Sequence, residues 1–203
     1  ALPIRQFTRD VAGWRETMVG LQAGGLALGL SAPAPVAALD HRLADTLPGQ
    51  IVEICPAAPA IIADLSHRIT RLGGLALIVD YGGWRSLGDT FQALQDHAFA
   101  NPLAAPGEAD LTAHVDFQAL AVASDTACAY TTQGALLAAL GVAQRSAALA
   151  ARLSGDRLRT HLAATHRLTA DTEMGQLFKA LALYPKGAPC PAGFPPAVER
   201  PDA

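Results

Sequence analysis

Apolar and polar positions first alternate in three short stretches, Gln6 to Asp10, Trp14 to Leu21 and Leu26 to Leu30, separated by Ala12-Gly13 and Ala23-Gly24-Gly25. Alternation broken by glycine turns predicts a small antiparallel meander. Ser31-Ala32-Pro33-Ala34-Pro35 cannot continue a ladder, because proline has no N–H to donate, and is expected to be a surface connection. Ile61, Leu65 and Ile69 then recur at helical spacing beside Ile62, with Pro56 ahead of them and Gly73 behind, which predicts one amphipathic helix. Directly after it, Leu75 to Val79 is a continuous apolar run between Gly74 and Asp80. Such a run is expected to be a central strand buried on both faces, parallel to its principal neighbour and covered by that helix.

The pattern from 85 to 116 is ambiguous: Phe91 and Leu94 permit a short helix, while Asn101 to Glu108 must be loop. Asp116 can cap a helix from Phe117 to about Ala123, and Thr132 one carrying Leu136 and Leu140 up to Gly141. Helices from Ala143 to Leu153 and from Arg157 to Thr165, the latter capped by Asp156, and a strand from Leu177 to Tyr184 complete the regular elements. The Pro-rich tail, 185–203, need not be ordered. A helix leading into an apolar strand implies an α/β sheet, in which ligands bind beyond the carboxyl ends of strands. Asp80, Tyr81, Gly82 and Gly83 occupy that position.

Composition narrows the functions. The 203 residues are 51% hydrophobic and 16% charged, with a formal net charge of -3, so there is no broad basic field for nucleic acid. No apolar run is long enough for membrane insertion. Cys55, Cys128 and Cys190 form no CxxC pair and fit a reducing compartment. His114-Val115-Asp116 would align two side chains on one side of a strand, but no third or fourth ligand accompanies them, so no metal is expected. Cys55 ahead of a helix lacks a local histidine signature for nucleophilic chemistry. Neither GxGxxG nor a Walker loop occurs.

Six stretches in order carry a family resemblance: Ala1-Leu2-Pro3 with Arg5-Gln6-Phe7, Val52-Glu53-Ile54-Cys55-Pro56, Gly74 to Gly82, Pro106 to Phe117, Thr132-Gln133-Gly134 leading to Leu140-Gly141, and Met174-Gly175-Gln176-Leu177-Phe178-Lys179. Their succession resembles the second half of MidA-type S-adenosylmethionine-dependent methyltransferases, the family of the mitochondrial complex I assembly methyltransferase. The most specific parts are Asp110 to Phe117 and Ile78-Val79-Asp80-Tyr81-Gly82. The Ser of the family's Val-Glu-Ile-Ser-Pro stretch is Cys55 here.

The resemblance implies an α/β fold, the C-terminal half of a Rossmann-like methyltransferase domain over 1–184, with a mixed sheet, an N-terminal antiparallel β meander and helical insertions. It implies methylation of a protein arginine, with a complex I subunit as the expected protein substrate, and S-adenosylmethionine bound by the full-length parent. The glycine-rich cofactor motif belongs to the family's first half, so none is expected to bind this chain alone, which is expected to be an inactive fragment. Asp80 and Asp116 are the candidate acidic partners of a guanidinium, Tyr81 and His114 the orienting groups, and Asp110, Thr112 and Phe117 the candidate substrate contacts. All four catalytic candidates are expected to converge on one cleft. A possible homodimer and a bacterial cytoplasm, or a mitochondrial matrix in a eukaryote, complete the expectation. The alternative is a non-catalytic assembly or interaction protein, with Leu2, Ile4 and Phe7 as an exposed apolar edge.

Overall fold

A computed structural model describes residues 2–196 and divides into two compact units. The first comprises 2–58 and 84–116, the second 59–83 and 117–196.

In the first unit, β1 (Arg5–Asp10), β2 (Gly13–Gln22) and β3 (Gly25–Leu30) form the expected meander, and β4 (Ile51–Ile54) adds to β1 to give the antiparallel order β3-β2-β1-β4. One face carries Phe7, Trp14 and Val52, which with Leu39 from a 3-10 turn (Ala37–Arg42) make a buried cluster. Phe7 is therefore core, not part of an exposed apolar edge, although Leu2 is exposed. The Pro-rich connection is pinned: the N–H of Trp14 donates to the Ala34 carbonyl at 2.8 Å and Ala34 N–H returns to the Trp14 carbonyl at 2.9 Å.

The ambiguous stretch is β structure, not helix. β6 (Gln92–Gln95), β7 (Ala98–Ala100) and β8 (Asp110–Thr112) form an antiparallel sheet in the order β7-β6-β8, and the two-residue β9 (Val115–Asp116) follows.

In the second unit, α1 (Ala58–Leu72) leads into β5 (Ala76–Gly83). The buried stripe of α1 is Ile62, Ser66 and Ile69, whereas Ile61 is exposed. β5 pairs antiparallel with β11 (Phe178–Tyr184), and β11 with β10 (Ala127–Thr132). The expected parallel neighbour is thus corrected, because an apolar run reports burial and says nothing of its partner's direction. Two-sided burial also fails: Leu77 and Val79, which share a face, are 52% and 43% exposed. Burial is concentrated instead on β11, where Ala180 to Leu183 are wholly inaccessible.

The helices α2 (Phe117–Ala123), α3 (Gln133–Ala139), α4 (Val142–Ala150), α5 (Gly155–Thr169) and α6 (Met174–Leu177) belong to this unit. Thr132 caps α3 as expected, its hydroxyl accepting from Ala135 N–H at 3.3 Å. Asp156 is not a cap: it lies in the first turn of α5, after Ser154, and pairs with Arg159. His161 bonds the Ser146 hydroxyl at 2.9 Å, packing α5 against α4. The tail's described part is ordered against the sheet, with Phe194 packed on Ala129, Ala182 and Tyr184; 197–203 lie outside the described residues.

Ion pairs concentrate in the first unit. Arg5 clamps Glu16 with bonds of 2.6 and 2.7 Å, and Arg15 meets Asp10 at 2.8 Å. Asp10 is held below the ordinary carboxylate range by the Ala12 N–H and then by Arg15, and Glu16 by Arg5. Burial pushes Asp45 up, but Arg42 and Arg85 outweigh it and hold it low. A carboxylate whose folded pKa is depressed stabilises the fold above its unfolded pKa and loses that stabilisation as pH falls through the folded value. Unfolding monitored at Trp14 and Trp84, the two tryptophans of the chain, should therefore show a loss of stability below about pH 4. A first unit equally stable at pH 6 and pH 3, values on either side of the usual carboxylate range, would contradict these pairings.

Candidate active site

In the second unit, β5 ends at Asp80-Tyr81-Gly82-Gly83. Successive residues of a strand face opposite sides, so Asp80, opposite Lys179, and Tyr81, opposite Phe178, diverge. The Asp80 carboxylate accepts the Tyr81 N–H at 2.8 Å. The Tyr81 ring meets Phe178 edge-on, with centroids 5.5 Å apart and planes at 90°. Phe178 also lines an open cavity of about 610 Å³ together with Arg167, Asp171, Glu173, Met174 and Leu177. Lys179 donates to the carbonyls of Gln176 and Leu177, tying the end of α6 to β11, and burial pushes its ammonium down from its ordinary value. Asp171 and Glu173 were not candidates on sequence; the adjoining Met174 to Lys179 stretch was the only signal near them.

In the first unit the organising group is Glu53, buried on β4. One carboxylate oxygen accepts Gln6 Nε2 and the Thr90 N–H, each at 2.9 Å, and the other accepts the Thr90 hydroxyl. That hydroxyl oxygen accepts the His114 N–H at 2.8 Å. The Glu53 N–H donates to the Ser86 hydroxyl at 3.0 Å, and the Ser86 N–H donates to Asp116 Oδ2 at 2.8 Å. His114 and Asp116 are thus fastened to one hub through Thr90 and Ser86. Arg42, itself buried, donates to the Ser86 carbonyl at 2.9 Å and to Asp45 at 3.0 Å. In the sequence Glu53 stands out only as part of the Val52 to Pro56 stretch; its burial cannot be read from an isolated acidic letter.

The structure brings His114 and Asp116 together on that hub. It places Asp80 and Tyr81 in the second unit, on opposite faces of one strand end. Asp110 and Thr112 lie on β8, Asp110 exposed and Thr112 half-buried. Phe117 is wholly buried, its ring 5.6 Å from that of Tyr130. Among the described residues no group of three His, Cys, Asp or Glu is placed to hold a metal, and no helix is long and apolar enough to cross a membrane.

Comparison with known proteins agrees with this α/β arrangement. The family model described as "Putative S-adenosyl-L-methionine-dependent methyltransferase" matches residues 1–136, and the chain belongs to that family. The mitochondrial protein arginine methyltransferase NDUFAF7 of Xenopus tropicalis is 32% identical over 195 residues, 92% of this chain and 45% of that protein. Human NDUFAF7 is 40% identical over 121 residues, 59% of this chain and 27% of the human protein. A Burkholderia thailandensis methyltransferase-like protein crystallised with S-adenosyl-homocysteine superimposes with a TM-score of 0.76 at 26% identity, over 95% of this chain and 52% of that one. The fold is that of S-adenosylmethionine-dependent methyltransferases, and the chain spans about half the length of the relatives it matches.

The family's cofactor is S-adenosylmethionine. A nucleotide cradle of the usual kind is a strand running through a glycine turn into a helix N-terminus. β5 instead runs through Gly82-Gly83 into an irregular stretch, bent at Trp84, Arg85 and Gly88, that carries Ser86 and Thr90. The described residues do not by themselves fit the cofactor.

Proposed function

We propose that this chain acts as the second half of a protein arginine methyltransferase and is inactive without the cofactor-binding half. The observation that carries the reading, beside the family, is the aromatic corner of Tyr81 and Phe178 next to the cavity bearing Asp171 and Glu173. A guanidinium is planar, weakly hydrated and always charged; it stacks on rings and bonds carboxylates two at a time. Asp80, Tyr81, His114 and Asp116 remain the proposed catalytic set, and Asp110 and Thr112 the proposed substrate contacts; Phe117, wholly buried against Tyr130, is a core residue instead. The substrate is a protein, by family resemblance a subunit of respiratory complex I. The proposed setting is a bacterial cytoplasm, or the mitochondrial matrix in a eukaryote.

Calorimetry on the 203-residue chain should show no saturable S-adenosylmethionine binding at millimolar ligand, while the protein extended by the family's first half should bind. One-to-one binding by this chain alone would refute its dependence on the other half. In the extended protein, transfer of labelled methyl to arginine peptides should occur. Asp171→Asn and Glu173→Gln should each lower kcat/KM for peptide by about tenfold or more, with the cofactor Kd unchanged, as expected when a charge-assisted hydrogen bond is lost. Unchanged turnover in both variants would remove the guanidinium reading.

A further inference from the structure

The open cavity that Phe178 lines lies at the carboxyl end of β5, because Phe178 pairs with Tyr81 there. Its charged lining is Arg167, in the last turn of α5, with Asp171 and Glu173 on the stretch between α5 and α6. Asp171 follows Arg167 by four residues, the spacing at which a continuing helix would pair them. α5 stops at Thr169, and Ala170 is extended at φ -70° and ψ 139°, so the chain leaves the helical path before Asp171 is reached. Among the described residues, Arg167, Asp171 and Glu173 form no ion pair with one another or with any other side chain.

Opposite charges on one wall are thus held apart and unneutralised. Lys179, the neighbouring ammonium, is already committed to the carbonyls of Gln176 and Leu177, and among the described residues that line the cavity Arg167 is the one cation. A substrate guanidinium bonded by Asp171 and Glu173 leaves Arg167 without an anion. It also leaves room, since about 610 Å³ is within the range that takes a drug-sized ligand and exceeds a single side chain. A free anion is repelled by the two carboxylates. A carboxylate on the same peptide as the guanidinium arrives with its charge compensated and at high effective concentration.

We infer that Arg167 sets the sequence around the methylated arginine, by receiving an Asp or Glu side chain carried close to it on the same peptide. The inference rests on the cavity being the guanidinium site, and it narrows the substrate class to arginines with an acidic neighbour. The planar fork of Arg167 matches a carboxylate bidentately. A lysine in the acidic residue's place would set like charges together, so the contact discriminates by repulsion as well as by attraction.

In the protein extended by the family's first half, arginine peptides carrying Asp, Asn or Lys at each neighbouring position in turn test this. At one position at least, Asp should exceed Lys in kcat/KM by about tenfold or more, chiefly through KM, with Asn between them. Arg167→Glu should invert that order in favour of Lys and leave the cofactor Kd unchanged. Fluorescence anisotropy of the same labelled peptides should give the same order in Kd, so the outcome does not depend on turnover. Arg167 is exposed, and an unchanged unfolding midpoint would show that its variant is folded. Equal treatment of Asp and Lys at every position, an order that survives Arg167→Glu, or a cofactor Kd weakened by that substitution would each overturn the inference. If Asp171→Asn and Glu173→Gln lower turnover while the order survives Arg167→Glu, the carboxylates hold the guanidinium and only the role of Arg167 falls. Inversion by Arg167→Glu, with turnover indifferent to both carboxylate variants, would uphold the acidic contact and move the guanidinium elsewhere.

Discussion

Glu53→Ala is expected to destabilise the first unit by about 3 kcal/mol, because it strands buried donors instead of merely deleting contacts. Glu53 accepts from Gln6, from the Thr90 N–H and from the Thr90 hydroxyl, and its own N–H holds Ser86. Gln6 keeps a second acceptor, Asp89, at 2.7 Å, so the penalty falls on Thr90. Its N–H and hydroxyl lose their partner in a part-buried setting, at roughly 1 to 3 kcal/mol for each unmet group. Glu53→Gln should cost less, since one amide oxygen still accepts while its NH2 faces another donor. Urea unfolding followed by tryptophan fluorescence isolates this unit, because Trp14 and Trp84 both belong to it. A loss below about 1 kcal/mol for Glu53→Ala would show that water replaces the carboxylate and that the hub does not organise the unit.

Elements with a strong local signature were legible in the sequence. The meander, α1, α2 and α3 carry either glycine turns with alternation or a helical stripe with an end signal, and β11 is a short apolar run stopped by Pro185. The failures also have local causes. The turn between β6 and β7 is made by Asp96 and His97 at φ 51° and 63°, left-handed positions usually marked by Gly or Asn, so the hairpin carried no turn signal. Phe91 and Leu94, three apart, imitate a helical stripe. β10 reads Ala-Cys-Ala-Tyr-Thr-Thr, too small and too mixed to show a period. The direction of β11 against β5 is set by the connection between them and leaves no trace in either strand's pattern.

The candidate site was legible as sequence stretches but not as geometry. Asp80 and Tyr81 are adjacent letters, and only the pleat sends them to opposite faces. His114 and Asp116 were legible as a pair two residues apart; what holds them, Thr90 and Ser86, lies more than twenty residues away on a stretch with no recognisable pattern. Glu53 and Glu173 show the same limit from the other side, since one glutamate is a buried hub and the other lines a cavity.

The stretches Thr132-Gln133-Gly134 and Met174-Gly175 acquire a joint physical meaning from packing, and it leads to the largest stability effect expected in the second unit. A Cβ on Gly175 would lie 2.2 Å from the Thr169 carbonyl oxygen, 2.5 Å from its carbon and 2.7 Å from the Ala170 carbonyl oxygen. All three are backbone atoms at the end of α5, and they cannot rotate away. A Cβ on Gly134 would meet the same Thr169 oxygen at 2.8 Å and Gly175 Cα at 3.2 Å. The two glycines therefore let α3, α6 and the end of α5 meet at one point, where Gln133 donates to the Leu168 carbonyl at 2.8 Å and Gly175 N–H to the Ala170 carbonyl at 3.0 Å. Gly175→Ala must push α6 outward, breaking that bond and moving Phe178 and the Lys179 anchor that follow it. The expected cost is about 3 kcal/mol, at the upper end for overpacking, with Gly134→Ala at about 2 kcal/mol. Tyr81, Tyr130 and Tyr184, the three tyrosines of the chain, all lie in this unit, so their ring resonances in an NMR spectrum report its packing. If Gly175→Ala unfolded with a midpoint unchanged from the parent and retained the tyrosine signal, the close approach of the three helices would not be a constraint of the fold.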